Sequence, residues 1–410
     1  MYGEKPSGSG QMTGTTNTIA ERWRELSGEN NWEGLLDPLD NYLRQYLIHY
    51  GEMAQATYDA FNSERASKYA GSSRYAKTNL FSKVGLGGSK PLMKYQVVRY
   101  FYATSQISVP EAFILMSFSR EAWCRGSNWM GYIAVATDEG KAVLGRRDIV
   151  IAWRGTIQVS EWFKDFEFPL VSASGVFGDG KDPKVHSGWL SLYTSTDPHS
   201  PFSQESAREQ VLSEVKRLVN EYEDEEISIS ITGHSLGASL ATLNAADIVA
   251  NNIHICQNQP QKPPPLVTVF SFASPRVGDS NFRRMVRHLK DLRLLQVHNI
   301  HDIIPFLPPW YAEVGEQLLM DSLQSTFLKI PGDIRSWHIL EVYLHVLAGT
   351  QGSKGGFKLE IERDISLVNK ACDALRDEYQ VPAYWWCSNN KGMVQMSDGR
   401  WKLNDHELDN

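Results

Sequence analysis

The chain has 410 residues, of which 42% are hydrophobic and 22% charged, so it is long enough for one large globular domain with additions. Its formal net charge of -7 gives no basic footprint for nucleic acid, and its four cysteines form no Cys-x-x-Cys pair of a zinc site. We therefore expect reduced thiols and no nucleic-acid partner.

The first part of the chain predicts a disordered start followed by a helical region. Residues 1–18 are rich in Gly, Ser and Thr and contain neither arginine nor the apolar segment of a secretory signal, so we expect disorder and a cytoplasmic location. Residues 19–94 are predicted to be a helical region packed on the core, with helices at 20–34 and at 39–61, where apolar residues keep a 3.6-residue spacing. No run approaches 18 apolar residues, so we expect peripheral membrane contact only.

Residues 95–350 alternate between strand-like and helix-like patterns. The predicted strands are 95–102, 131–137, 148–153, 227–232, 266–272 and 292–298, and the predicted helices are 110–117, 203–226, 238–250 and 282–289. Such alternation predicts an α/β core, with a mainly parallel sheet and helices on both faces. Residues 351–410 are predicted to be a C-terminal extension.

A Gly-x-Ser-x-Gly pentapeptide stands between an alternating strand pattern, with one face expected to be buried deeper than the other, and a helical pattern. This arrangement is typical of a nucleophile elbow, in which a serine occupies a strained turn and small neighbours leave room for the strand and the helix. We therefore predict Ser235 as a nucleophile, with Gly233, His234 and Gly237 completing the elbow. The N–H of Leu236, at the helix N-terminus, is predicted to stabilise an acyl oxyanion.

A serine nucleophile needs a base, and the base needs an acid that follows the serine in the sequence. Asp302 comes directly after the predicted strand 292–298 and is our candidate for the acid. Of the three downstream histidines, His338 is predicted to be the base because it stands at the start of an apparent helix. His345 lies two turns further along and is expected to pack, and His406 lies in the polar C-terminus and is expected to be solvated.

The oxyanion site needs a second N–H donor from the loop after an early strand. Thr156 follows the predicted strand 148–153 in an Arg-Gly-Thr turn and is our candidate, with its hydroxyl as a further donor or as a support of the loop. His186, in a turn beside Gly188, and His234 both precede the serine and so do not follow the expected triad order. The side chain of His234 is predicted to pack. The chemistry requires neither a metal nor a cofactor.

In these motifs the chain resembles the class 3 lipase family. Within that family it is similar to the plant phospholipase A1 branch, most closely to the class II enzymes without a transit peptide. The motifs that carry the resemblance are 149–156, 185–189, 232–237, 272–278, 299–309 and 338–345, which together cover about 130 to 350. The resemblance implies an α/β-hydrolase fold, a triad of Ser235, Asp302 and His338, and an oxyanion hole at Thr156 and Leu236. It also suggests a lid, which the apolar segment 162–177 would suit.

The implied reaction is hydrolysis of the sn-1 acyl ester of a glycerophospholipid such as phosphatidylcholine, at a membrane or micelle surface. Two alternatives stay open. The same triad would serve a mono- or triacylglycerol lipase or a carboxylesterase, and a lipase-like signalling protein without enzymatic activity is a more remote third. Spacing alone does not reveal headgroup preference or oligomeric state.

Overall fold

The computed structural model describes residues 18–87, 92–124, 126–156, 169–178, 180, 182–352, 355–386 and 392–409. Its centre is a seven-stranded sheet with the strand order β1-β2-β3-β6-β7-β8-β9. Strands β1 to β3 pair antiparallel, and from β3 onward the pairing is parallel. The strands of this sheet are β1 (Tyr95–Ala103), β2 (Asn128–Ala136), β3 (Arg147–Trp153), β6 (Ile227–His234), β7 (Leu266–Phe272), β8 (Leu292–Asn299) and β9 (Glu316–Met320).

Two small sheets complete the strand inventory of the described residues. β4 (Leu170–Ser172) pairs with β5 (Lys184–His186), and β10 (Met393–Gln395) pairs with β11 (Trp401–Leu403). Both pairs are antiparallel and three residues long, and neither pair was predicted from the sequence.

Helices cover both faces of the large sheet, as predicted. Alternate residues of β3 point to opposite sides: Val150 and Ala152 belong to a core formed with α1, α2 and α11, whereas Ile149 and Ile151 belong to a core formed with α6 to α9. The helices are α1 (Ile19–Leu26), α2 (Asn41–Ala60), α3 (Leu80–Lys83), α4 (Asp138–Leu144), α5 (Ser174–Phe177), α6 (Ser187–Thr194), α7 (Ala207–Glu221), α8 (Leu236–Ala250), α9 (Ser280–His288), α10 (Ile334–His338) and α11 (Leu340–Gly349). The chain therefore has the mainly parallel, helix-covered sheet of an α/β-hydrolase fold.

The strand before the serine is buried on both faces. Its alternation predicted one face buried deeper than the other, but every residue of β6 is buried. The polar side of the strand meets α2 and β3, where Ser230 donates to the Asp148 carboxylate over 2.8 Å and Thr232 donates to the Tyr50 carbonyl over 3.0 Å. Polar residues are tolerated there because each finds a hydrogen-bond partner.

Helix α2 is the long element of the N-terminal region, and it packs directly against the sheet and α11. Asp40 caps its start, accepting hydrogen bonds from the N–H groups of Tyr42 and Leu43. Near the middle of the helix, a Cβ added to Gly51 would lie 2.3 Å from Cδ2 of Leu344. Glycine at this position lets α2 approach α11 closely, which fixes the helix over the elbow strand.

Two of the predicted helices differ in the structure. The predicted helix 20–34 ends at Leu26, and the chain continues in turns. The predicted helix 110–117 contains no α-helix: the side chain of Asn128 accepts from the N–H of Leu115 over 2.7 Å and donates to its carbonyl over 2.9 Å. Those backbone groups are thereby engaged by a side chain instead of a helical ladder.

The residues after α11 fold back onto the N-terminal region. Lys370 forms a buried ion pair with Asp59 of α2. Further on, the Asp405 carboxylate accepts hydrogen bonds from Asn62, over 3.1 Å, and from Ser67. Within the ranges given above, no helix is both long and apolar enough to cross a bilayer. Of the predicted disordered segment 1–18, only Thr18 lies among the described residues, where it caps α1.

Candidate active site

Ser235 stands in the sharp turn between β6 and α8. Its backbone dihedrals, φ 58° and ψ −127°, lie in a region that residues other than glycine rarely adopt. The surroundings are tight: a Cβ added to Gly233 would lie 2.4 Å from the Gly237 carbonyl carbon, and one added to Gly237 would lie 2.3 Å from the Trp153 oxygen. The two glycines therefore leave space that any larger side chain would fill with a clash.

His338 connects Ser235 with Asp302. Its Nε2 lies 2.9 Å from the Ser235 hydroxyl, and its Nδ1 lies 2.6 Å from Oδ2 of Asp302. Because a carboxylate only accepts, Nδ1–H must donate to it, and Nε2 is left with a lone pair aimed at the hydroxyl. All three residues are buried. The structure thus brings these three predicted site residues into one hydrogen-bonded row.

The position of His338 differs in one respect from the prediction. It is the last residue of the short helix α10, not the first turn of a longer helix. Ile339 then takes an extended conformation, with φ −68° and ψ 132°, before α11 begins. The interruption points the imidazole toward the elbow while the rest of α11 packs on α2.

Asp302 is held by three donors. Oδ2 accepts from His338 and, over 2.7 Å, from the hydroxyl of Tyr343, and Oδ1 accepts from the N–H of Ile304 over 3.0 Å. Burial and the charge of Asp302 raise the pKa of Tyr343, so its hydroxyl keeps the proton that it donates. Sequence reasoning missed Tyr343, because a tyrosine on an apolar helix carries no local sign of a carboxylate partner.

Asn299 joins the end of β8 to the segment that carries His338. Its side chain donates to the Trp337 carbonyl over 3.0 Å and accepts from the N–H of Ser322 over 3.2 Å. Its own N–H donates to the Tyr343 hydroxyl over 3.1 Å. The acid loop and the histidine segment are therefore fixed to each other by hydrogen bonds as well as by packing.

Thr156 lies on a turn that touches the elbow. A Cβ added to Gly155 would lie 2.4 Å from the carbonyl oxygen of His234, so the turn and the end of β6 are in direct contact. The hydroxyl of Thr156 is buried and has no hydrogen-bond partner among the described residues. Leu236 is the first residue of α8, where a backbone N–H has no acceptor within its own helix.

Arg154 fixes the turn that carries Thr156. Its guanidinium donates to the carbonyls of Trp129 and Gly155, each over 3.0 Å, and lies 3.9 Å from the centre of the Phe61 ring. Burial lowers the pKa of Arg154 to about 10, so the side chain stays charged at neutral pH. The buried guanidinium therefore connects this turn to β2 and to the Gly155 carbonyl.

His234 was predicted to pack, but in the structure its side chain also lies within hydrogen-bond distance of two groups. Its Nε2 lies 2.7 Å from the carbonyl oxygen of His338, and its Nδ1 lies 2.8 Å from the hydroxyl of Tyr58 on α2. Sequence reasoning missed Tyr58 because it stands 176 positions before His234. No local pattern links residues so far apart.

Two other histidines, neither of them predicted to be the catalytic base, are buried in the protein. His186 stacks on Trp189 with ring centres 3.9 Å apart, and burial lowers the pKa of His186 to about 3. His345 lies 2.8 Å from the Ser325 hydroxyl, and burial lowers the pKa of His345 to about 4. Both therefore stay neutral at physiological pH and pack in the interior, as expected for His345.

His406 was expected to be solvated, and it is partly exposed but also packs against the protein. Its ring stacks on Tyr69 with centres 4.2 Å apart, because the C-terminal residues pack against the loop after α2.

Of the suggested lid, residues 162–168 lie outside the described residues, and 169–177 contain β4 and α5. In the part of the chain that the structure describes, no three His, Cys, Asp or Glu side chains converge so as to hold a metal ion.

Comparisons with known proteins show which sequences and structures this chain is similar to. Residues 150–312 match the family described as Lipase (class 3). The Lip2 lipase of Yarrowia lipolytica is 18% identical, with a TM-score of 0.46 over 70% of this chain and 82% of that one. Phospholipase A1-IIgamma of Arabidopsis thaliana is 53% identical over 96% of this chain and 95% of its own length. Phospholipase A1-II 1 of Oryza sativa subsp. indica is 52% identical over 95% and 98%. The chain therefore belongs to the class 3 lipase family and, within it, to the phospholipase A1-II group.

Proposed function

We propose that this protein is a serine acylhydrolase that cleaves the sn-1 acyl ester of glycerophospholipids such as phosphatidylcholine, releasing a fatty acid and a 2-acyl lysophospholipid. The observation that carries the proposal is the row of hydrogen bonds from Ser235 through His338 to Asp302, with lengths of 2.9 and 2.6 Å. The choice of phospholipid over other esters follows the names of relatives that are 52–54% identical.

The reaction begins when Oγ of Ser235 attacks the carbonyl carbon of the sn-1 ester while Nε2 of His338 accepts its proton. The Nδ1–H bond to Asp302 holds the imidazole in the required tautomer and stabilises the imidazolium that forms. The imidazolium then donates its proton to the glycerol oxygen as the C–O bond breaks, which leaves the acyl chain on Ser235. Water, deprotonated by His338, attacks the acyl carbon of the acyl-enzyme. The imidazolium then returns this proton to Oγ of Ser235 as the acyl–oxygen bond breaks, which releases the fatty acid and restores the free serine.

Each tetrahedral intermediate carries a negative oxygen that needs hydrogen-bond donors. We assign this role to the N–H groups of Leu236 and Thr156, with the Thr156 hydroxyl as a third donor. Two observations support the assignment: Leu236 begins a 15-residue helix whose dipole favours negative charge at that end, and the buried Thr156 hydroxyl has no partner among the described residues. The contact of the Gly155 turn with His234 keeps both donors beside the elbow.

Peripheral contact with a lipid surface is supported by exposed apolar side chains around the acid and histidine segments. Ile300 and Ile303 flank Asp302 and are each 47% exposed, and Ile334, at the start of α10, is 49% exposed. Trp310, a few residues after the acid, is 70% exposed. Apolar side chains concentrated near a catalytic site suit insertion among lipid headgroups.

The proposal is tested with phosphatidylcholine that carries different labelled acyl chains at sn-1 and sn-2. We expect the wild-type protein to release only the sn-1 chain and Ser235→Ala to release neither. Ser239→Ala is the matched control, because Ser239 is a buried serine one turn further along α8 that bonds to Ser274 and the Pro275 carbonyl instead of His338. It should keep most of the activity and should still react with a fluorophosphonate probe, which Ser235→Ala should not.

Other outcomes would redirect the assignment. Cleavage of monoacylglycerol or short-chain esters that depends on Ser235, without phospholipid hydrolysis, would replace phospholipase with lipase or carboxylesterase. No turnover of any ester would replace enzyme with lipid-binding or signalling protein. The cytoplasmic location stays a prediction from the sequence, which cell fractionation would test.

A further inference from the structure

We propose that Tyr58 and His234 act together as a positioning pair, which holds the His338 main chain so that its imidazole stays aligned with Ser235. Neither residue touches the substrate in this proposal. The inference rests on the proposed catalytic roles of Ser235 and His338. It makes α2, which precedes the family-matched residues 150–312, a working part of the active site.

The first observation is the bond between the two histidines. Nε2 of His234 lies 2.7 Å from the carbonyl oxygen of His338. A carbonyl oxygen only accepts, so His234 must carry its proton on Nε2. The His338 carbonyl is available because the extended Ile339 interrupts the helix, and the N–H of Val342 bonds to the Ile339 carbonyl instead. The side chain of His234 thus takes the place of a helical hydrogen bond at the catalytic histidine.

The second observation is the partner of Nδ1 of His234. With the proton on Nε2, Nδ1 of His234 can only accept, and the Tyr58 hydroxyl lies 2.8 Å from it. The same hydroxyl lies 3.3 Å from the His234 carbonyl oxygen. Burial raises the pKa of Tyr58, so the hydroxyl remains a donor. Tyr58 therefore supplies a donor to the form of His234 that the His338 carbonyl requires.

The third observation is that Tyr58 also reaches the Arg-Gly-Thr turn. A Cβ added to Gly155 would lie 2.0 Å from the Tyr58 hydroxyl, so the phenol occupies the space that a side chain there would need. One residue of α2 thus contacts both the elbow and the turn that leads to Thr156. Movement of α2 would disturb the candidate nucleophile, base and oxyanion donors together.

Charge explains why a neutral histidine suits this position. The His234 and His338 rings are 4.8 Å apart, and His338 becomes positive during the proposed reaction. Burial first, and then the nearby His338, lower the pKa of His234 far below its usual value, so it stays uncharged. The groups that face His338 are then Asp302 from the loop after β8 and neutral His234 from β6, with Tyr343 behind Asp302. The only formal charge among them is the negative one that the imidazolium needs.

The test compares kcat, KM and the pH profile of phospholipid hydrolysis in Tyr58→Phe, His234→Gln and His234→Met. The glutamine amide can still donate to the His338 carbonyl, whereas methionine cannot. We expect Tyr58→Phe to lower kcat about two- to tenfold, the effect of one hydrogen bond, and His234→Met to lower it by up to about 100-fold. His234→Gln should recover part of that loss, and KM should stay near the wild-type value throughout.

The acidic limb of the pH profile separates positioning from a general loss of folded protein. If His338 moves away from Asp302, its imidazolium is stabilised less, and the limb should shift to lower pH. A smaller folded fraction would scale kcat without moving the limb. The matched control is Tyr132→Phe, which removes another buried tyrosine hydroxyl that bonds to α2, at the Met53 carbonyl over 2.8 Å, and should leave kcat and the limb unchanged.

The outcomes distinguish this inference from the proposed function. Wild-type kcat and an unshifted acidic limb in Tyr58→Phe and His234→Met, with Ser235→Ala inactive, would overturn the positioning pair and leave the triad standing. Equal activity of His234→Gln and His234→Met would also overturn it. Full activity of Ser235→Ala would overturn both proposals together.

Discussion

Replacing Tyr343 with phenylalanine probes how the acid of the site is held in place. The Tyr343 hydroxyl donates to Asp302 over 2.7 Å and accepts from the N–H of Asn299 over 3.1 Å, and all three residues are buried. A hydrogen bond to a charged group contributes about 1.5–3 kcal/mol, and leaving a buried N–H without an acceptor costs about 1–3 kcal/mol. We therefore expect Tyr343→Phe to lower the free energy of unfolding by at least about 2.5 kcal/mol.

Urea denaturation followed by tryptophan fluorescence measures this loss, with Tyr132→Phe as the reference variant. Tyr132 is equally buried, but its hydroxyl bonds only to a neutral carbonyl, so its removal should cost about 0.5–1.5 kcal/mol. The Tyr343 variant should also lose kcat, because Asp302 is then held by two donors instead of three. Equal destabilisation of the two variants would refute the argument that the charged acceptor and the Asn299 N–H set the magnitude.

Three further predictions concern the elbow, acid stability and lipid contact. Gly237→Ala should lower the rate of fluorophosphonate labelling at least about 100-fold. The reason is that the new Cβ would lie 2.3 Å from the Trp153 carbonyl oxygen, a backbone atom that cannot move aside. Labelling at the wild-type rate would contradict this prediction. Burial lowers the pKa of His345 to about 4. In the folded protein His345 therefore stays neutral at a pH where its imidazole in the unfolded chain takes up a proton, that is, below about pH 6.5. Its stabilising effect is therefore present above pH 6.5 and is lost between pH 6.5 and 4, by up to about 1.4 kcal/mol per pH unit. His345→Gln should weaken the fall in melting temperature between pH 7 and 5, whereas His199→Gln, at an exposed site, should not; equal slopes would count against the argument. Trp310→Ser should reduce sedimentation with phosphatidylcholine vesicles but leave hydrolysis of a soluble short-chain ester intact, and equal losses in both assays would point to damage at the site instead.

The central elements were predictable because each leaves a local pattern in the sequence. Ser235 is marked by its glycines between a strand and a helix, and Asp302 by its place after a buried strand. The order of acid and histidine along the chain then restricted the base to three candidates. Strand β7 is mostly apolar, and its bounds were predicted to the residue.

The rest depends on contacts between distant parts of the chain. Tyr58 and Tyr343 read as ordinary apolar positions of amphipathic helices, and only the fold brings their hydroxyls to His234 and Asp302. In the edge strand β9, Leu318 and Met320 are buried, but the apolar Leu319 between them is exposed. The hydrophobic pattern of its sequence therefore does not alternate and gives no strand signal. The segment 110–117 looks helix-like in the sequence, but a tertiary contact with Asn128 engages the N–H and the carbonyl of Leu115.

The close packing of α2 against β6 and α11 affects how the protein can fold while it is being synthesised on the ribosome. Synthesis of α2 ends at residue 60, whereas its partners Thr232 and Leu344 follow about 170 and 280 residues later. At a translation rate of about 5–20 residues per second, the segments that pack on α2 are synthesised roughly 10 to 60 s after the helix itself. During that time its apolar stripe, which includes Leu43, Tyr46 and Leu47, is open to unwanted association. The nascent chain should therefore depend on chaperones from an early stage, long before any part of the elbow exists.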